Sequence, residues 1–123
     1  MTREIEILNQ VYDAFNARKI DVVLAQLAPD VDWPNGMEGG RVHGRAAVRD
    51  YWLRQWSMID PRVEPRQFAV DDAGLIVVDV HQTVRDLSGK VMADQMVQHV
   101  YTIRDGLIQR MDIRTTAPDG RDQ

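Results

Sequence analysis

The side chains best suited to proton chemistry near neutral pH are three histidines, His43, His81 and His99. Asp32, Asp79 and Asp112 are the carboxylates that strand alternation can set beside them. A histidine held against an aspartate is a general acid/base pair. Residues two apart on a strand share a face, so His81 falls with Asp79, and His99 with Tyr101. Taking Asp112 as their neighbour on the last strand, these residues form one polar face, opposite Gln82 and Gln98. That face reads either as a hydratase-like site of His81, His99 and Asp112, or as a cross-strand polar ladder on an outer surface. The ladder is the preferred reading. A slip of one residue would reverse the choice, because it turns every side chain to the other face.

Other chemistries are poorly supplied. The chain has no cysteine, which removes thiolate nucleophiles, disulfides and Cys-ligated zinc. No H-E-x-x-H spacing occurs, and no metal is expected. Gly36–Gly44 lacks the spacing of a phosphate-binding loop, and no G-x-S-x-G elbow is present. The large neutral side chains are more suggestive. Trp33, Trp52 and Trp56 offer flat apolar walls, each with one N–H donor. Gln82 and Gln98 are amides on otherwise apolar strand faces, where they must be hydrogen-bonded to each other, to water or to a ligand.

The elements that position these residues follow from periodicity. Ile5, Leu8, Val11, Tyr12 and Phe15 recur at spacings of three and four, which predicts a helix from about Glu4 to Ala17, with Thr2 as a cap. Ile20, Val23, Leu24 and Leu27 extend helical spacing to a stop at Pro29. Val31-Asp32-Trp33 is short and extended, and Asn35–Gly44 reads as a loop. A third helix starts at Arg45 and ends before Asp60-Pro61. Beyond it, Val63–Val70, Leu75–Arg85, Met92–Ile103 and Leu107–Arg114 read as strands. Pro65 assigns the first of them to a sheet edge or a bulge. Asp105-Gly106 between the last two is a strong hairpin signal. The 123 residues carry 15 basic and 19 acidic side chains, net −4, which argues against a nucleic-acid or anionic-membrane surface. One domain, residues 1–116, with a polar tail over 117–123, accounts for the length. The N-terminus has no apolar signal region and no span is long enough to cross a bilayer, so a cytoplasmic protein is expected.

Several local patterns resemble one superfamily when taken in this order. They are Ala14-Phe15-Asn16-Ala17 with Ile20-Asp21, then Leu27-Ala28-Pro29-Asp30-Val31, then Val42-His43-Gly44-Arg45-Ala46-Ala47-Val48. His99-Val100-Tyr101-Thr102-Ile103 with Asp105-Gly106-Leu107-Ile108 completes the set. Together they resemble the nuclear transport factor 2-like superfamily, in its SnoaL-like and ketosteroid-isomerase-like branch. The resemblance implies an α+β fold: a cone-shaped, curved mixed sheet wrapped around three N-terminal helices (a cystatin-like α+β barrel), with ligand chemistry in the hollow.

Steroid isomerisation itself is not implied. Its tyrosine, base and third acid fall on Val11, Trp33 and Gln98, with Tyr12 and Asp32 each one residue away. What the resemblance does imply is a small, largely apolar, oxygenated ligand without a cofactor. The expected ligand wall is Val11, Phe15, Trp33, Trp52, Trp56, Val80, Gln82, Met96, Gln98, Val100, Met111 and Ile113. Asp32 and His43, near the expected mouth, are the candidate catalytic relay. If the chain is an enzyme, it is an isomerase, dehydratase or cyclase; otherwise it is a ligand-binding or dimerisation module. On this reading Trp52→Ala and Gln98→Leu weaken binding more than folding. A homodimer is expected through the outer sheet face, using Val77, Val97, His99, Tyr101, Arg110, Asp112 and Arg114.

Overall fold

In the computed structural model, which describes residues 2–115, the N-terminal half supplies the helices. They are α1 (Thr2–Asn16), α2 (Ile20–Leu24) and α3 (Arg45–Trp56). The strands are β1 (Leu27–Pro34), β2 (Arg41–His43), β3 (Ile59–Val70), β4 (Ile76–Asp86), β5 (Val91–Arg104) and β6 (Leu107–Thr115). All six strands form one sheet in the order β2-β1-β6-β5-β4-β3. β1 runs parallel to β6, and every other pair is antiparallel. The sheet curves around the helices but does not close, so β2 and β3 remain edges. The expected α+β class is therefore the one adopted. The tail over 117–123 and the Thr2 side chain lie outside what is described.

The core sits between α1 and the concave face of the sheet. Leu8, Val11 and Tyr12 of α1 are buried, as are Val78, Val80, Tyr101 and Ile108 of the central strands. α2 is shorter than its apolar spacing predicts. Leu27 and Ala28 are buried in β1 instead, and Leu27 pairs with Ile108. Pro29 does not end the strand, because it falls where the β1–β6 register shifts between Leu27 and Asp32. A residue without an N–H is tolerated at such an irregularity. β2 is a strand where a loop is expected, since three residues carry too little alternation to be read. Pro65 does lie on an edge strand, at the Pro65/Gln67 register shift.

The β5–β6 hairpin turns where the sequence places it. Asp105 and Gly106 both have positive φ, 54° and 77°, as a two-residue type I′ turn requires. A Cβ at Gly106 would meet nothing within 4 Å, so a substitution there costs only backbone strain. Gly106→Ala should lower stability by about 1–2 kcal/mol, read as a shifted denaturant midpoint with an unchanged slope.

One register detail decides which side chains face the core. In the β4–β5 hairpin Arg85 pairs with Val91, but Val84 pairs with Ala93. β5 therefore carries one extra residue, Met92. Such a bulge reverses the inside and outside of everything beyond it. Val80 lies opposite Val97, Val78 opposite His99, and Ile76 opposite Tyr101. Opposed residues share a face, so Val97, His99 and Tyr101 join the buried side with Val78 and Val80. The expected orientation of β4 holds, and that of β5 is overturned. Gln98, Met96 and Val100 lie on the outer face, where Gln98 donates to Asp79 at 2.9 Å. On β6, Met111 and Ile113 share the inner face with their partners Tyr101 and His99.

Candidate functional site

The concave face of the sheet, α1 and α3 enclose a cavity of about 210 Å³. α1 contributes Val11, Tyr12 and Phe15, and α3 contributes Tyr51, Trp52 and Gln55. Trp33 and Pro34 close one side, and Gln82, Val84, His99, Met111 and Ile113 line the sheet side. The aromatic wall is tightly made. Trp52 meets Trp33 edge-on at 5.3 Å and Phe15 at 5.5 Å. Trp56 stacks behind Trp52 at 6.2 Å, with the Arg18 guanidinium over its ring at 5.0 Å.

Within this apolar shell lies a neutral hydrogen-bonded cluster. Tyr12 Oη is 2.8 Å from His99 Nδ1, and Tyr101 Oη donates to Tyr12 Oη at 2.8 Å. The Tyr12 and His99 rings stack nearly parallel, 5.8 Å apart. Burial disfavours every charged form here. It pushes the His99 imidazolium down to about 4 and raises both phenols, that of Tyr12 further through its neighbour Tyr101. At neutral pH all three groups are uncharged. A third hydroxyl comes from α3: Tyr51 Oη accepts from the Gly36 N–H at 3.0 Å and from Gln55 Nε2 at 3.2 Å. Burial raises the Tyr51 phenol too. No carboxylate, lysine or arginine is among the lining residues described. Such a site can bind and polarise oxygen atoms, but it holds no ready anionic base.

The SnoaL-like domain matches residues 8–111 of the chain. This protein belongs to the SnoaL-like family. Its structural neighbours include TerC co-crystallised with polyporic acid, with a TM-score of 0.80, 28% identity and coverage of 94% of this chain and 93% of that one. Another is an NTF2-like protein of unknown function from Burkholderia pseudomallei, with a TM-score of 0.81 at 28% identity, covering 94% and 92% of the two chains. A protein assigned to the polyketide cyclases from Sinorhizobium meliloti aligns with a TM-score of 0.75 at 25% identity, covering 89% and 94%. No curated protein matches the chain.

In this SnoaL-like protein, seven of the expected wall residues come together around the cavity: Val11, Phe15, Trp33, Trp52, Gln82, Met111 and Ile113. Val80 is buried in the core, and Trp56 stands behind the wall. Met96, Gln98 and Val100 are turned away by the β5 bulge. The candidate relay is also displaced. Asp32 and His43 do meet, Oδ1 to Nε2 at 3.5 Å, but away from the hollow. Trp33 faces the hollow, so its neighbour Asp32 faces the other way. There Asp32 is paired with Arg41, and with Arg110 at 2.8 Å; Arg41 also reaches Asp112 at 3.1 Å. An aspartate held by two guanidiniums across the sheet from the cavity cannot relay protons into it.

The three-residue alternative of His81, His99 and Asp112 is likewise divided by the sheet. His81 lies on the outer face, 2.5 Å from Asp94 and 3.4 Å from Glu64. Those partners, Asp94 most of all, raise its proton affinity. Of the residues expected in an outer dimer face, Val97, His99 and Tyr101 point inward instead, and the same bulge is the reason. Of the cavity's polar groups, Tyr12, Tyr51 and Gln55 lie outside the expected wall, and His99, expected on the outer face, is brought in by the β5 bulge. Tyr12 was within reach, since it belongs to the buried stripe of α1.

Proposed function

We propose that this SnoaL-like protein takes a small, largely apolar, oxygenated molecule into the hollow and acts on it as a cofactor-independent isomerase or cyclase. The observation that carries the reading is the uncharged Tyr12–His99 cluster set into an aromatic cavity. A buried polar group facing an apolar hollow is costly unless something pairs with it. A ligand oxygen is the natural partner, and donors aimed at an oxygen that gains charge in the reaction are a common source of catalysis. The likeness to a protein assigned to the polyketide cyclases, and to a relative crystallised with polyporic acid, supports a cyclic, oxygenated ligand class.

A second reading is favoured by one observation: no carboxylate is among the lining residues described. It makes the protein a ligand-binding module without turnover. A thermal-shift screen of flat bicyclic ketones and phenols tests occupancy. A ligand at a hundred times its dissociation constant adds about 2.7 kcal/mol of stability, which raises the melting temperature measurably. Ile113→Trp, which fills the half-exposed rim of the hollow, should abolish the shift and leave the fold intact. Equal shifts in the wild type and in Ile113→Trp would place binding elsewhere and sink both readings. Chromatography of bound compounds separates the two, since an isomerase or cyclase changes its ligand and a binding module returns it unaltered.

A further inference from the structure

Building on that ligand-binding reading, we propose that Tyr101, acting through Tyr12, locks His99 in the tautomer with its proton on Nε2. The hollow then presents a fixed N–H donor that selects molecules bearing a carbonyl oxygen. The argument is a proton count. A phenol has one proton to donate. Among the described residues, Tyr101 Oη has a single hydrogen-bond partner, Tyr12 Oη at 2.8 Å. Tyr101 must donate there, or its buried O–H stays unsatisfied. Tyr12 then cannot point its own proton back at Tyr101. Its remaining partner is His99 Nδ1, also at 2.8 Å. Nδ1 therefore accepts, and a neutral imidazole that accepts at Nδ1 carries its proton on Nε2.

The opposite order fails on the same count. If Nδ1 donated to Tyr12, Tyr12 would either donate to Tyr101, leaving the Tyr101 proton with no acceptor, or accept from both neighbours. In the second case it would turn its own proton into the apolar hollow, where no described residue accepts it. Either way a buried O–H is left unsatisfied. Tyr101 makes no hydrogen bond to His99 and still sets its tautomer, so it is a positioning residue. His99 Nε2 has no partner among the described residues, and it is not sealed as the Trp56 indole nitrogen is. His99 borders the cavity, so Nε2–H is left to a ligand. Tyr51 adds to the bias. Its oxygen already accepts twice, and its own proton has no acceptor among the described residues. A wall that offers donors favours an oxygen that only accepts. With its Nδ1 lone pair engaged by Tyr12, His99 polarises a carbonyl and does not serve as the base.

Long-range proton–nitrogen correlation spectra of 15N-labelled protein, without ligand near neutral pH, read the tautomer directly. The expected wild-type pattern is a pyridine-like Nδ1 and a pyrrole-like Nε2 for His99. Tyr101→Phe removes the bond that fills one Tyr12 lone pair and polarises the Tyr12 O–H towards Nδ1, so a minor Nδ1–H population should appear beside the Nε2–H form. A pyrrole-like Nδ1 or a mixture in the wild type overturns the lock, and no foldable variant is needed for that result. An unchanged tautomer in Tyr101→Phe overturns the role of Tyr101. Calorimetry with 1-tetralone and its hydrocarbon counterpart tetralin then tests selection. The ketone should bind about tenfold tighter in the wild type, as one well-made hydrogen bond allows, and the gap should close in His99→Phe. Equal binding of the two compounds overturns the selectivity. Binding of neither, with the tautomer locked as expected, overturns the reading of the hollow as a ligand site and leaves the lock standing.

Discussion

Trp52→Ala is expected to cost about 3–5 kcal/mol of folding stability, the range for removing a buried large aromatic. Domains of this size are stable by only about 5–15 kcal/mol, so the variant should be partly unfolded at modest denaturant concentrations. The expectation rests on what the indole touches. Trp52 is 2% exposed and is packed against Trp33, Phe15 and Trp56. Those rings belong to β1, α1 and α3, so one side chain ties three elements together. α3 has few other attachments, since its only other buried residues are Val48 and Tyr51. Loss of the indole also merges its volume with the cavity, and lining groups that lose contacts cannot fully collapse into the gap. The resemblance assigns Trp52 to the ligand wall, while ordinary core packing is the plainer account of any single tryptophan in the sequence. The observed packing makes its folding cost the larger effect. Urea denaturation of Trp52→Ala and Trp52→Phe measures it, with the phenylalanine variant keeping most of the ring contacts and falling between the other two. A loss below about 1 kcal/mol in Trp52→Ala would mean that the aromatic stack does not carry α3.

The fold was legible because its strongest signals are local. The α1 stripe, the β4 alternation, the Asp105-Gly106 turn and the edge position of Pro65 each follow from a few neighbouring residues. The site was legible only where such signals reach it. Val11, Phe15 and Gln82 lie on elements whose facing is set by their own pattern, and they line the cavity. β5 is different, because both of its faces are mixed: Met96 and Val100 on one, Val97 and Tyr101 on the other. Its orientation is inherited from the hairpin that precedes it. That hairpin looks regular in sequence, and Asp86 accepts from the Ser88 and Lys90 N–H groups as an ordinary turn residue does. Nothing local marks the extra residue at Met92. Yet that residue exchanges Gln98 for His99 at the cavity wall and separates His99 from His81. The family resemblance could not repair this, because it carries a position along the strand, not a bulge. The size of Tyr101 was the available clue. A tyrosine flanked by Val97 and Ile103 outweighs Met96 and Val100 for the buried face.

Lowering the pH should destabilise the protein through His99 by about 3 kcal/mol in total, beginning well above the range of ordinary carboxylates. Unfolded, the imidazole has its ordinary value of 6.5; folded, burial holds it at about 4. Between those values the unfolded chain binds a proton that the folded chain refuses. Stability then rises with pH through the window and is lost as pH falls. At about 1.4 kcal/mol per pH unit, the interval from 6.5 down to about 4 gives the stated total. Above 6.5 the contribution does not change, and below about 4 the loss is complete.

The groups facing His99 are Tyr12 and Tyr101, both neutral throughout this range, so no carboxylate rescues the imidazolium. His81 acts in the opposite sense. Asp94 and Glu64 raise its folded value above 6.5, so its contribution is present at low pH and fades as pH rises through that higher value. Because His81 is common to both proteins, the difference between the wild type and His99→Phe isolates the buried ring. Urea denaturation across the pH series should show the wild type losing ground to the variant only inside the window. Ring resonances of His99 in the folded protein give the same answer without a variant, remaining those of a neutral imidazole until the pH approaches 4. A His99 that titrated near 6.5 with the fold intact would mean that water reaches the ring freely. In that case the hollow would hold an ordinary solvated base, and the dry surroundings that make Nε2–H a strong donor would be absent.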